Sequence, residues 1–134
     1  MFYDDTLTLN KENINGICDE IIKRKIKDKK VIGLINIILK NFDNIEKGMP
    51  LGNLTSQFFA NIYLNELDYF IKHSLSAKNY IRYVDDFVIL HKNKNQLQIW
   101  KKKINGFLRK ELKLKLHKDK SKIISLSKGT DFVG

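Results

Sequence analysis

The sequence predicts an α+β fold, with helices packed on one face of a small antiparallel sheet. Three observations predict it. Apolar residues recur at helical spacing through the first half of the chain. The stretch "YIRYVDDFVIL" then switches to short runs rich in Val, Ile, Tyr and Phe. Further on, Leu112, Leu114 and Leu116 alternate with lysines, a period of two. The chain has 134 residues, few enough for one core. No repeat, low-complexity linker or proline beyond Pro50 marks a boundary, so residues 1–134 are expected to form a single domain.

The elements follow in order. Ile14, Ile17, Cys18, Ile21, Ile22 and Ile26 predict a first helix over residues 13–27, with Lys23, Arg24, Lys25 and Lys27 on its back. Residues 31–42 predict a second helix, apolar nearly all round and therefore expected to be buried. "GMPLGNLTSQ", residues 48–57, reads as a turn or loop. Asn53 or Thr55 can cap a third helix running to about His73. Its apolar side comprises Phe58, Phe59, Ile62, Leu67, Phe70 and Ile71, and Phe58 and Phe59 are expected in the core.

Residues 80–84 and 87–90 read as two strands separated only by Asp85-Asp86. That is hairpin spacing, and Asp tolerates the left-handed backbone that tight hairpin turns require. A fourth helix is predicted over residues 95–110, with Leu97, Trp100, Ile104, Phe107 and Leu108 on one side and Trp100 in the core. Residues 112–116 read as a strand with one wet face, residues 123–126 as its return, and "TDFV" as a last short segment between Gly129 and Gly134.

Composition narrows the function. The hydrophobic content of 43% argues against disorder. No apolar run is long enough to span a bilayer, and "VIGLINIIL" is short enough to be a buried helix. No secretory leader is recognisable, and the single cysteine, Cys18, cannot form an internal disulfide. A cytoplasmic location without a membrane partner is therefore expected. The net charge is +10, with Lys+Arg 25 against Asp+Glu 15. Such an excess attracts polyanions, nucleic acid foremost, although plain solubility also explains basic chains. Arg24, Lys25, Lys27, Lys101, Lys102, Lys103 and Lys110 fall on helix backs, where they either neutralise phosphates or form a solvated face. His73, His91 and His117 have no ligand spacing, so no zinc site is expected.

The chemistry concentrates in "VDD". Two adjacent anions raise each other's pKa unless a cation compensates them. Mg²⁺ is a hard ion that takes carboxylates, waters and phosphates. Two such ions about 3.5–4 Å apart can clamp the attacking and leaving oxygens of a phosphoryl displacement. Asp-Asp is also a common solvent-exposed turn. A tip meant only for water, however, seldom sits between runs such as "YIRY" and "FVIL".

Here the sequence resembles a family. "YVDDFVIL" is similar to the catalytic hairpin of reverse transcriptases. "GMPLGNLTSQFFANIYLNELDYFIKH" resembles the block upstream of it in the bacterial enzymes of group II introns, retrons and diversity-generating retroelements. "LKLKLHKDKSKI" resembles the block after it, "KGTDFVG" the start of the primer-grip hairpin, and "KRKIKDKKVIGLINIIL" the helical stretch ahead. The ordered set covers most of residues 47–134.

The resemblance implies a polymerase palm of a mobile genetic element. Its reaction would be RNA-directed DNA synthesis, a two-metal transfer of a nucleotide from dNTP to a DNA primer 3′-hydroxyl on an RNA template. It implies Mg²⁺ as cofactor, with Mn²⁺ as the alternative, held by the catalytic Asp85 and Asp86. By the same resemblance Gly52 and Gln57, in a G-x-x-x-[ST]-Q pattern, contact the nucleotide or template. Gly52 lacks a Cβ to block close approach, and Gln57 can donate and accept. Lys120 is the implied phosphate contact, in competition with Lys122. Tyr83 is either a residue packing beneath the nucleotide or an ordinary strand aromatic. A structured RNA or an accessory protein fits as a further partner.

One feature of the family is missing. A third carboxylate in a stretch of the type "D-x-x-x-F-F" is not recognisable, since "TLTLNKEN" follows Asp4 and Asp5. Neither aspartate is a good candidate on that pattern. Complete fingers and thumb are not expected, so the chain is read as a palm fragment with weak or no activity alone. The rival reading is a non-catalytic basic module that binds nucleic acid or a partner protein. A general RNA-dependent RNA polymerase palm is disfavoured by "GNLTSQ".

Overall fold

The computed structural model describes residues 2–8, 11–43 and 54–128. Residues 1–8 and 64–134 cluster as one compact unit and residues 9–63 as another. The fold is α+β, as expected.

The first unit is built on a sheet. Its strands are β1 (Phe2–Thr8), β2 (Asn79–Tyr83), β3 (Asp86–Leu90), β4 (Lys115–Leu116) and β5 (Lys122–Ile124). The order is β2-β3-β1-β4, with β5 also pairing β1, and every pairing is antiparallel. Strand β1 is thus central, although alternation in the sequence gave no sign of it. It pairs β3 along one edge, and β4 and β5 in tandem along the other. Strand β3 buries Phe87, Val88 and Ile89 in succession, so both of its faces are covered. A continuous apolar run is what such a position requires.

The segment expected as the return of the 112–116 strand does form a strand, but not a return: it runs in the same direction as residues 115–116, further along β1. Residues 122–124 pair β1, not the 115–116 strand. The alternation of Leu112, Leu114 and Leu116 produces only two strand residues, because the preceding helix α4 (Lys94–Glu111) runs on to Leu112 as its C-cap. Leu112 and Leu114 are nevertheless buried. The chain leaves α4 through Lys113 at φ 52°, and the Leu114 amide donates back to the Leu108 carbonyl at 3.0 Å. Asn93 caps the other end, its Oδ1 accepting from the Asn95 and Gln96 amides at 2.8 and 3.4 Å. The core stripe of α4 is Leu97, Trp100, Ile104 and Leu108, as the periodicity predicts.

Helix α3 (Leu54–Tyr69) gives its last turns to this unit and continues as a π-helical turn over Phe70–Ser74. Thr55 therefore lies inside the helix rather than capping it, and Asn53 falls outside the described residues. The exit resembles that of α4: Ser76 has φ 54°, and the Ala77 amide reaches back to the Ile71 carbonyl at 3.1 Å. Phe70 stacks on Phe107 of α4 at 4.2 Å between ring centroids.

The second unit holds α1 (Lys11–Lys25), α2 (Lys29–Asp43) and the start of α3. Cys18, Ile21 and Ile22 are buried, and the Cys18 thiol donates to the Phe59 carbonyl at 3.6 Å. Burial pushes that thiol up to about 12, so it stays protonated and unreactive. Asp28 caps α2, accepting from the Lys30 amide at 2.8 Å.

Two core expectations in this unit fail. Phe59 is buried, but Phe58 is 60% exposed. Adjacent helical residues point about 100° apart, and the buried stripe takes Phe59, Ala60, Tyr63 and Leu64. Helix α2 is not buried either: Val31, Leu34 and Ile37 are exposed. Apolar residues around its whole circumference exceed what its packing covers. The segment "TDFV" lies outside the described residues. Among them, no helix is long and apolar enough to cross a membrane.

Truncating a buried residue of the α4 stripe should cost much more than truncating one on its open side. Ile104→Ala is expected to lower the unfolding free energy by about 2–5 kcal/mol. Ile99→Ala, at a half-exposed position, should change it by less than about 1 kcal/mol. Urea titration of both variants checks the contrast.

Candidate active site at the hairpin turn

Strands β2 and β3 pair with Tyr83 opposite Asp86, so Val84 and Asp85 form a two-residue loop. The expected turn was Asp85-Asp86; the observed one sits a residue earlier, and Asp86 opens β3. The left-handed residue is Val84, at φ 53°, not an aspartate. A β-branched residue there is a genuine outlier, strained by roughly 1–3 kcal/mol.

Arg82 holds this turn in place. Its Nη1 donates to the Val84 carbonyl at 2.6 Å. Its Nε and Nη2 fork onto Asp68 Oδ1 and Oδ2 of α3 at 2.8 and 2.7 Å. The Tyr80 hydroxyl donates to Asp68 Oδ1 at 2.5 Å. Burial, then the hydrogen bond to Asp68, pushes the Tyr80 hydroxyl far up, so it remains a donor. The Arg82 side chain is only 10% exposed. A bidentate fork fixes orientation as well as charge. It anchors the hairpin to α3 and sets the carbonyl that immediately precedes Asp85.

Tyr80 and Arg82 lie opposite Ile89 and Phe87, on the sheet face turned to Asp68. The other face of β2 carries Ile81 and Tyr83, 58% and 57% exposed. Asp68 of α3 thus meets one face of the hairpin, while Tyr83 and its register partner Asp86 share the other, on which Ile81 and Tyr83 are exposed and Val88 is buried.

Asp85 and Asp86 are both half-buried. Desolvation raises the Asp85 carboxyl above its usual range and the charge of Asp86 raises it further; its own backbone hydrogen bond and the charge of Lys120 pull the other way without cancelling the rise. Asp85, Asp86 and Lys120 thus act on one another. Lys122 stands elsewhere, on β5 in register with Asp4. On its second side, β1 sets Asp4 opposite Val88, Asp5 opposite Phe87 and Thr6 opposite Asp86. Gly52 lies outside the described residues; Gln57 is exposed in the first turn of α3, within the other unit.

The family model for reverse transcriptase (RNA-dependent DNA polymerase) matches residues 4–134. The chain belongs to the reverse transcriptase family. No curated protein matches it. The match begins at Asp4, on the strand that sequence reading overlooked.

Reverse transcriptases generally use Mg²⁺. The donors at this turn suit a hard cation: they are carboxylate oxygens, and the ionised form of Asp85 is disfavoured by burial and by the charge of Asp86. Among the described residues no three His, Cys, Asp or Glu side chains converge as a metal site. The Arg82–Asp68–Tyr80 cluster escaped sequence reading because its members come from a helix and a strand. The single arginine beside the acids was its one visible trace.

Asp68→Ala strips a largely buried guanidinium of its partner. Stability should fall by about 3 kcal/mol in urea titration. Arg82→Lys keeps the charge but not the fork, and should also be destabilised. Asp85 gives a pH signature. Its folded-state pKa is raised, so its contribution to stability is present below the unfolded pKa and is lost as pH rises through the folded one. Asp85→Asn should therefore raise the melting midpoint at neutral pH and leave it unchanged near about pH 3, as followed by circular dichroism.

Proposed function

We propose that this reverse transcriptase chain is the palm of a bacterial or mobile-element enzyme, extending a DNA primer with dNTPs on an RNA template. The observation that carries the reading is the pair of carboxylates at the hairpin tip, Asp85 in the turn and Asp86 opening β3, with the Arg82–Asp68 fork behind the turn. Asp85 and Asp86 would hold Mg²⁺, or Mn²⁺ in its place. Bound there, the metal would activate the primer 3′-hydroxyl and neutralise charge on the α-phosphate and pyrophosphate. Lys120, whose charge already reaches Asp85, would offset phosphate charge beside them. Tyr83, exposed beside Asp86, offers a ring for a nucleotide to pack against.

The pairing of β1 reopens the question of a third carboxylate. Asp4 sits two residues along β1 from Thr6, the register partner of Asp86. Alternate residues of a strand share a pleat face, which favours Asp4 over Asp5. Gly52 and Gln57 remain the proposed nucleotide or template contacts. Residues 1–134 alone are expected to extend primers weakly.

Primer extension on an RNA template with Mg²⁺ tests the proposal. Weak extension is expected, abolished by Asp85→Asn and reduced at least about tenfold by Asp4→Asn but not by Asp5→Asn. Extension that survives Asp85→Asn would refute the metal role. RNA binding without any extension, and without a Mg²⁺-induced rise in melting midpoint that needs Asp85, would favour the non-catalytic basic module instead.

A further inference from the structure

We propose that a cationic groove on the flank of α4 binds the phosphodiester backbone of an RNA strand, at a site separate from the acidic turn. The proposal shares with the functional reading only the class of partner; it does not need the metal chemistry. Beside the buried stripe of α4 lie Gln98, Lys101, Lys102, Asn105 and Arg109. Spaced three or four apart, they form one continuous flank. That flank faces Leu116, His117, Lys118 and Ser121 across a cavity of about 610 Å³.

Among the described residues no carboxylate lines the groove. The one acid of α4 is Glu111, its last residue. A helix face kept only for solubility gains from alternating charges at i and i+4; this one sets lysines and an arginine side by side with amides. Its walls are tied together, since Lys101 Nζ donates to the Ser121 carbonyl at 2.5 Å. The cations therefore face a preformed space rather than a loose surface.

The dimensions select a strand over a single nucleotide. From Gln98 to Arg109 the helix advances about 16 Å. Phosphates recur about every 3.4 Å along a helical strand, so the flank matches several of them. A lone triphosphate would meet only one end. The amides of Gln98 and Asn105 can donate to and accept from a ribose 2′-hydroxyl, which favours RNA over DNA. Leu116 supplies an apolar patch for a sugar or base edge.

Fluorescence anisotropy with a labelled single-stranded RNA, in EDTA, tests the groove on the full chain. Lys102→Glu/Arg109→Glu should weaken binding about tenfold near physiological salt and flatten the log–log salt slope by about one to two. Lys92→Glu/Lys94→Glu makes the same charge change outside the groove and should stay within about twofold of wild type. The neutral pair Lys102→Gln/Arg109→Gln should give an intermediate loss, and bound RNA should shield Lys102 and Lys118, but not Lys92, from acylation read by mass spectrometry. Equal weakening by the groove and control pairs, or unshielded Lys102 and Lys118, would overturn the site. Equal affinity for DNA of the same sequence would overturn the assignment to RNA. Because binding is read in EDTA, its outcome stands apart from primer extension with Mg²⁺, so this groove and the catalytic reading can fail separately.

Discussion

The hairpin depends on one ion pair. The fork between Arg82 and Asp68 fastens β2 to α3, and the same guanidinium holds the Val84 carbonyl. A valine does not rest in left-handed backbone without restraint. Here the strain is stored one bond away from Asp85, where it sets the direction in which the chain enters β3. The arginine also explains a puzzle of composition. In a chain with 25 lysines and arginines, the charge nearest the acids in sequence is turned to the opposite sheet face. At Asp85 the charge of Asp86 raises the carboxyl and that of Lys120 lowers it, behind the larger effect of burial.

Much of this was legible in advance. The α4 stripe, the hairpin, Trp100 in the core and the family itself follow from spacing and motif. The failures have physical causes. Three turns pass through left-handed backbone at Ser76, Val84 and Lys113 without a glycine, so the usual punctuation for helix and strand ends was missing. Strand β1 reads "FYDDTLT", and its paired aspartates mask the strand. A central strand needs partners on both edges more than it needs an alternating pattern. Helix α2 misled in the other direction: apolar residues all round argued for burial, yet Val31, Leu34 and Ile37 are exposed.

The candidate site was legible in its acids and not in its frame. Asp85, Asp86 and Lys120 could be named from motif alone. That Lys120 rather than Lys122 influences Asp85 depends on the connection between β4 and β5, which leaves the edge of β1 after Leu116 and rejoins it with Lys122 opposite Asp4. Two lysines a residue apart thereby face different neighbours. No spacing rule could have divided them.

The central place of β1 has a further consequence. Phe2 pairs with both Leu90 and Ile124, and in the sequence residues 9–63, which cluster as a unit of their own, intervene before its partners. Such pairings close very long loops, which slows folding far more than it weakens the final state. During synthesis β1 has no mate until β3 (Asp86–Leu90) has been made. The hairpin can form locally, whereas the centre of the sheet must wait for distant segments to meet.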